Sequence, residues 1–145
     1  GHPVAQAHYG KKLIATIKNL KVLIVINMEI YKTFMVEAAH RLPSLPDQHK
    51  CSRLHGHTFV IEVHLQGDND NSNGWVMDFA DISKIFRPVF ERIDHHYLNE
   101  IPGLENPTSE NLAKWIWHEL ESDLPLLYSI VVKETCTSGC IYKGK

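Results

Sequence analysis

Cys51-Ser52-Arg53-Leu54-His55-Gly56-His57-Thr58-Phe59-Val60-Ile61-Glu62-Val63-His64-Leu65-Gln66 is the stretch from which the rest of the chain is best read. Phe59, Ile61, Val63 and Leu65 fall on one side. Thr58, Glu62, His64 and Gln66 fall on the other, with Val60 the exception. That period of two predicts a strand with one face in a core. His57 shares the parity of the apolar side, and His55 precedes it by two. Side chains two apart on an extended backbone point the same way. Both imidazoles can therefore aim at one ion, with Gly56 between them adding no bulk. A third ligand from another segment, such as His40, completes a three-histidine set. Zinc prefers four ligands, so three protein nitrogens leave one position for water or substrate, the mark of a catalytic rather than a structural site. A lone histidine is usually a surface or packing residue; a His-Gly-His entering a strand, with Cys51 four residues ahead, argues for ligation.

The chain has 145 residues, which suits one domain with one core. Its 43% hydrophobic content is too high for a disordered polymer. A net charge of -2, with ten histidines counted neutral, argues against an electrostatic grip on nucleic acid or an anionic membrane. No uninterrupted apolar stretch approaches bilayer-spanning length. The three cysteines, Cys51, Cys136 and Cys140, are too few and odd in number for a secreted disulfide framework, so a cytoplasmic, reducing location is expected.

Residues 1–27 read as an N-terminal extension, non-native or dispensable, with Met28 as a natural start and residues 28–145 as the single catalytic domain. Within the extension, Leu13–Ile17 and Val22–Ile26 have strand character, consistent with an added hairpin or interface arm. Ile30, Lys32, Phe34 and Val36 alternate with Tyr31, Thr33, Met35 and Glu37, predicting a strand that runs into His40. A helix is predicted from about Asp78–Asp81, with the stripe Ile82, Ile85, Phe86, Val89, Phe90 and Ile93. Pro88 inside it predicts a kink or a later start. Thr108 or Ser109 caps a second helix with core positions Leu112, Trp115, Ile116 and Leu120, and Pro125 ends it. Leu127–Thr135 reads as a strand, Cys136–Gly139 as a turn and Cys140–Lys143 as a short last strand. Two strands, two helices and two strands favour an α+β fold: a four-stranded antiparallel sheet with both helices on one face.

Four further places carry chemistry. Cys51 is either a fourth ligand that closes the metal shell or a thiol acting beside an open metal. Asp94 and His95 adjoin at a helix end. A carboxylate bound to one ring nitrogen fixes the tautomer and favours the imidazolium, suiting the pair to proton transfer, although a histidine at a helix terminus is also commonplace. Glu134 follows Ile130 and Val132 on one strand face, where an acid needs either a partner or water. Its two oxygens match a planar ligand with two parallel N–H donors, such as the amino-pyrimidinone edge of a pterin or guanine. The Cys136–Cys140 spacing has no companion ligands and reads as a chance placement in a hairpin.

Taken together, Phe34-x-x-Glu37-Ala38-Ala39-His40-Arg41-Leu42, Cys51-x-x-x-His55-Gly56-His57, Asp94-His95-His96-Tyr97-Leu98-Asn99, Pro107-Thr108-Ser109-Glu110 and Lys133-Glu134-Thr135 resemble the 6-pyruvoyl-tetrahydropterin synthase family. The Cys-to-His spacing and the Glu134–Cys140 ending are most similar to its bacterial 6-carboxy-tetrahydropterin synthase branch of queuosine biosynthesis. The resemblance covers Tyr31–Lys145. It implies the tunnelling fold, in which trimers close a barrel and two trimers stack into a homohexamer with active sites between subunits. It implies Zn2+ on His40, His55 and His57, a catalytic thiol at Cys51, a proton-relay pair at Asp94 and His95, and a pterin anchor at Glu134. Thr108, Ser109 and Glu110 match a segment near the pterin in that family. The implied reaction converts 7,8-dihydroneopterin triphosphate to 6-carboxy-5,6,7,8-tetrahydropterin, acetaldehyde and triphosphate, with Lys50 and Arg53 suggested as phosphate contacts. Two rivals remain: a related lyase making 6-pyruvoyl-tetrahydropterin, and a non-catalytic zinc-stabilised binding module.

Overall fold

A computed structural model describes residues 14–17, 20–23 and 28–144. Strands β1 (Ile14–Ile17) and β2 (Leu20–Leu23) pair antiparallel in a sheet of their own, in keeping with the hairpin expected there. Leu13 and the residues 24–26 of the second expected strand lie outside the described residues.

Two strands of 13 residues each, β3 (Met28–His40) and β4 (His55–Gly67), form the centre of the main sheet. They pair antiparallel from Met28 opposite Gly67 to His40 opposite His55. Alternation sets the register, because a slip of one residue would turn Phe59, Ile61, Val63 and Leu65 out of the core. All four are fully buried. The polar loop of residues 41–54 joins the two strands and contains a single 3-10 turn, Lys50–Ser52.

Helix α1 (Phe79–Ile93) is capped by Asp78, whose side chain accepts from the Ala80 N–H at 2.9 Å. It buries Ile82, Phe86, Val89 and Ile93 against the sheet, and Phe86 stacks on Phe34 with centroids 4.1 Å apart. Pro88 neither delays nor ends this helix, contrary to one expectation. Pro88 and Lys84 are both exposed, so the carbonyl deprived of its usual N–H partner faces water. After α1 the chain forms β5 (His96–Tyr97), which runs parallel to β3 beside Ala38 and Ala39.

Helix α2 (Ser109–Leu120) begins where expected, with the Thr108 hydroxyl accepting from the Asn111 N–H at 3.0 Å. It buries Leu112, Ala113, Trp115, Ile116 and Leu120. Strands β6 (Leu127–Thr135) and β7 (Ser138–Tyr142) complete the sheet, in the order β5-β3-β4-β6-β7. The four long strands are antiparallel as expected, and the two-residue β5 adds one parallel edge. The final hairpin is tighter than the expected turn Cys136–Gly139, since β7 starts at Ser138. Gly139 sits opposite Lys133 at a register shift, where a Cβ would come within 2.9 Å of the Val132 carbonyl oxygen. A glycine that reads as a turn signal is thus a strand residue under close backbone approach.

The core lies between one sheet face and both helices. Val36, Phe59, Ile61, Ile130 and Val132 of the sheet meet Ile82, Phe86 and Ile93 of α1 and Leu112, Ile116 and Leu120 of α2. The opposite sheet face leaves Tyr31, Met35 and Ile141 exposed. That face also carries an ion-pair network, with Glu62 bonded to His64 at 2.8 Å and to Lys133 at 2.9 Å.

Candidate metal centre

The core face of the sheet changes character at one end. Val36 and Phe59 are apolar, and the next positions along the same face are Ala38 with His57, then His40 with His55. Register therefore brings three imidazoles together without any loop having to fold inward. Their ring centroids stand 4.6 Å (His40–His55), 5.1 Å (His40–His57) and 4.8 Å (His55–His57) apart. One ligand nitrogen from each lies within 4.8 Å of the others. Phe59 packs edge-to-face against His40 and His57 and forms an apolar floor.

Backbone carbonyls orient two of the rings. His40 Nδ1–H donates to the Pro107 carbonyl at 2.7 Å, and His55 Nδ1–H donates to the Arg53 carbonyl at 2.7 Å. This fixes the tautomer in which Nε2 carries a lone pair, the usual outer-shell arrangement for a metal-binding histidine. The two Nε2 atoms then face one another at 3.0 Å. Two lone pairs at that distance repel unless a cation lies between them. Burial lowers the His40 pKa, and the neighbouring His55 and His57 lower it further, against the opposing pull of the Pro107 bond and Glu134. His40 is fully buried and so is kept in the neutral form that binds metal. The trio fits a divalent metal ion. Among the described residues, this is the cluster whose ligand atoms converge in that way.

Glu134 lies one step beyond Val132 on the same face of β6. Its Oε1 stands 3.5 Å from His40 Nε2 and 3.8 Å from His57 Nε2, and it accepts from the Ser109 hydroxyl at 3.5 Å. Of the helix-start residues singled out by sequence, Ser109 therefore reaches the site through Glu134, whereas the Thr108 hydroxyl is committed to its cap. Glu110 is exposed and turned toward β7, where burial first and then the Glu110 charge push the Cys140 thiol up. Cys51 is half-buried in the 3-10 turn and lies outside the imidazole cluster. Its carbonyl accepts from Leu42 N–H at 2.8 Å and its N–H donates to His49 Nδ1 at 3.1 Å. All three cysteines are free.

Asp94 and His95 form the expected pair. Asp94 caps the end of α1 and its Oδ2 accepts from His95 Nδ1–H at 2.7 Å, while its Oδ1 accepts from the Glu37 N–H at 3.0 Å. The His95 N–H donates in turn to the Glu37 carbonyl. His95 has a left-handed φ of 57°, uncommon for a residue with a side chain. Desolvation pushes the Asp94 carboxyl up; the bonds from His95 and Glu37 and the charges of His95 and His96 outweigh it and hold the group below its usual value. The bond to Asp94 and its charge raise His95. The ring is 76% exposed and lines a cleft of about 520 Å³ with Glu37, Thr58, His57 and Tyr97. Within one chain, the cleft beside the proton-handling pair is therefore lined by Glu37 and Thr58 of the face opposite His40 and His55, and also by His57.

The family model for 6-pyruvoyl tetrahydropterin synthase matches residues 29–145. The chain belongs to the 6-pyruvoyl tetrahydropterin synthase family. It is 44% identical to 6-carboxy-5,6,7,8-tetrahydropterin synthase from Synechocystis over 78% of this chain and 91% of that protein. It is 32% identical to human 6-pyruvoyl tetrahydrobiopterin synthase over 81% and 92% respectively. The structure of the Caenorhabditis elegans 6-pyruvoyl tetrahydropterin synthase superposes with a TM-score of 0.75 at 30% identity, covering 81% of this chain and 96% of that one. This family member is a lyase with an α+β fold. Among its described residues, no helix is long and apolar enough to cross a membrane.

Three contributors to the site had little or no signal in the sequence. The carbonyls of Pro107 and Arg53 orient ligands, and every residue has a carbonyl. Asn99, weakly marked by its neighbours, clamps the backbone just beyond His40: its Oδ1 accepts from Arg41 N–H at 2.9 Å and its Nδ2 donates to the Arg41 carbonyl at 2.8 Å.

Proposed function

We propose that this chain is a zinc-dependent lyase converting 7,8-dihydroneopterin triphosphate to 6-carboxy-5,6,7,8-tetrahydropterin, with release of acetaldehyde and triphosphate, in queuosine biosynthesis. The observation that carries the reading is the convergence of His40, His55 and His57 on one point with the Glu134 carboxylate facing it. Three imidazoles at such spacing suit zinc and leave a position open. When bound, zinc supplies Lewis-acid stabilisation of the negative charge that develops on the oxygens of the substrate side chain.

The chain's own residues divide the remaining work. Glu134 accepts two parallel N–H bonds from the pterin edge and holds the ring so that the side chain reaches the trio. The Asp94–His95 pair, with an imidazolium favoured by its carboxylate, gives and takes protons at carbon and oxygen, and the Cys51 thiol is its counterpart. The cleft at the pair is lined by Glu37 and Thr58 from the sheet face opposite His40 and His55, which supports sites shared between subunits. Strand β7 is a free edge of the sheet, and over residues 28–37 β3 has only β4 beside it among the described residues. Free edges favour strand pairing with further copies, and a homohexamer built from two barrel-forming trimers satisfies them. Residues 28–145 form the catalytic unit and 1–27 an extension, in line with a family match that starts at residue 29. The free cysteines fit a cytoplasmic enzyme. Lys50 and Arg53, exposed on the Cys51 loop, are suited to the triphosphate.

Mass spectrometry of products from purified enzyme and dihydroneopterin triphosphate tests the reading. The 6-carboxy product with acetaldehyde is expected, and chelator abolishes it. The 6-pyruvoyl product instead would assign the chain to the activity named for its human relative. No turnover by zinc-loaded, folded protein would leave the binding-module reading.

A further inference from the structure

We propose that Glu134 is a displaceable fourth ligand of the metal, released when the pterin ring binds. This rests on the metal reading above and adds a second task to the anchor residue. One oxygen of Glu134 stands 3.5 Å from His40 Nε2 and 3.8 Å from His57 Nε2. An N–H···O bond spans about 2.7–3.2 Å, so neither separation is that of a hydrogen bond. Ligands sharing a tetrahedral zinc at roughly 2.0–2.1 Å from each are about 3.3–3.4 Å apart. The carboxylate oxygen is thus spaced from His40 and His57, two of the three imidazoles, much as a co-ligand is. Among the described residues, the polar hydrogen contact on that oxygen is the long 3.5 Å bond from Ser109, too weak to tether it. The side chain is 31% exposed, which leaves it room to turn.

A carboxylate on the ion cannot at the same time offer both oxygens to the parallel N–H donors of a pterin edge. Ring binding therefore draws Glu134 off the metal and opens the position that the substrate side chain needs. Recognition of the heterocycle and exposure of the metal become one event, which keeps the open metal from unselective ligands in the resting enzyme. Linkage makes the coupling reciprocal: a ring-only ligand must weaken metal binding, and metal must weaken binding of the ring.

The test uses the full-length protein and reads metal binding, not turnover. Zinc affinity is measured by competition with a chromophoric chelator, and coordination by the visible absorption of the Co2+-substituted protein, for wild type, Glu134→Gln and Glu134→Ala. The variants are expected to bind zinc at least about tenfold more weakly and to show an altered Co2+ band. Pterin itself, which has the ring and no side chain, is expected to shift the wild-type Co2+ band and lower its zinc affinity. Glu134→Gln keeps the shape of the side chain and decides the question if Glu134→Ala misfolds. Unchanged affinity and spectrum in Glu134→Gln, or bound pterin that leaves the wild-type Co2+ band as it was, would overturn the proposal. Wild-type protein that holds no zinc at all would instead sink the metal reading on which it rests.

Discussion

Asp94 and His95 show how a residue pair acquires a function from local geometry. The carboxylate is held by Glu37 N–H and by the His95 ring, and that ring is largely exposed to solvent. Because the His95 pKa is raised, the imidazolium persists to higher pH than in an ordinary histidine and is lost as pH rises through the raised value. Asp94→Asn removes the charge that favours this form. NMR titration of His95 in that variant should show the pKa fall toward the ordinary value, and turnover should drop by about 10²–10⁴-fold; an unmoved titration would contradict the assigned coupling. Cys51 separates the open from the closed metal site. Since it lies outside the imidazole cluster, Cys51→Ala is expected to remain folded and zinc-loaded while turnover falls by at least about 10²-fold. Loss of zinc and fold in that variant would restore the closed shell.

At the scale of elements, what the sequence made legible followed from periodicity. The alternation through Phe59–Leu65 and the helical stripe through Ile82–Ile93 are direct images of burial, and each matches the observed core. His55 and His57 were legible for the same reason, as they continue the parity of a buried face; His40 was named only as a candidate third ligand and through the family resemblance, and its place opposite His55 emerges only from the strand register. Strand β5 was not legible, because two residues, His96 and Tyr97, are too few to establish a period and gain their partner only when α1 returns the chain to β3. The Asn99 clamp was hidden for a related reason: its partner, Arg41, lies 58 positions away. This clamp extends the short parallel pairing and steadies the strand end that carries His40. Asn99→Ala is expected to cost about 0.5–1.5 kcal/mol in denaturant unfolding, the usual net worth of a hydrogen bond whose partners water can reach. It should also weaken zinc binding; equal stability and equal affinity would remove the clamp from the account. Phe59→Ala, under both His40 and His57, should cost about 3–5 kcal/mol.

Across the whole molecule, the Asp94–His95 pair opens on a cleft whose Glu37 and Thr58 lie on the sheet face opposite His40 and His55, so under the proposed scheme a complete site draws on more than one copy of the chain. Mixed oligomers provide a direct check of sharing. Cys51→Ala and His95→Ala proteins, each nearly inactive, should recover activity when co-assembled, since some interfaces then combine an intact Cys51 with an intact His95. No recovery in verified mixed assemblies would place both groups in one chain's site. The exposed Tyr31, Met35 and Ile141, and the edges of β3 and β7 that have no strand beside them among the described residues, accord with burial in the proposed assembly, for which sedimentation should give six times the chain mass. The central claim is that a metal ion on His40, His55 and His57 carries the reaction. It is tested most directly by measuring bound zinc and 6-carboxytetrahydropterin formation together in wild type and His55→Ala. The wild type should hold about one equivalent of zinc per chain and lose turnover on chelation, with recovery when zinc is restored, while folded His55→Ala should lose both together. Undiminished product formation by metal-free protein would contradict it.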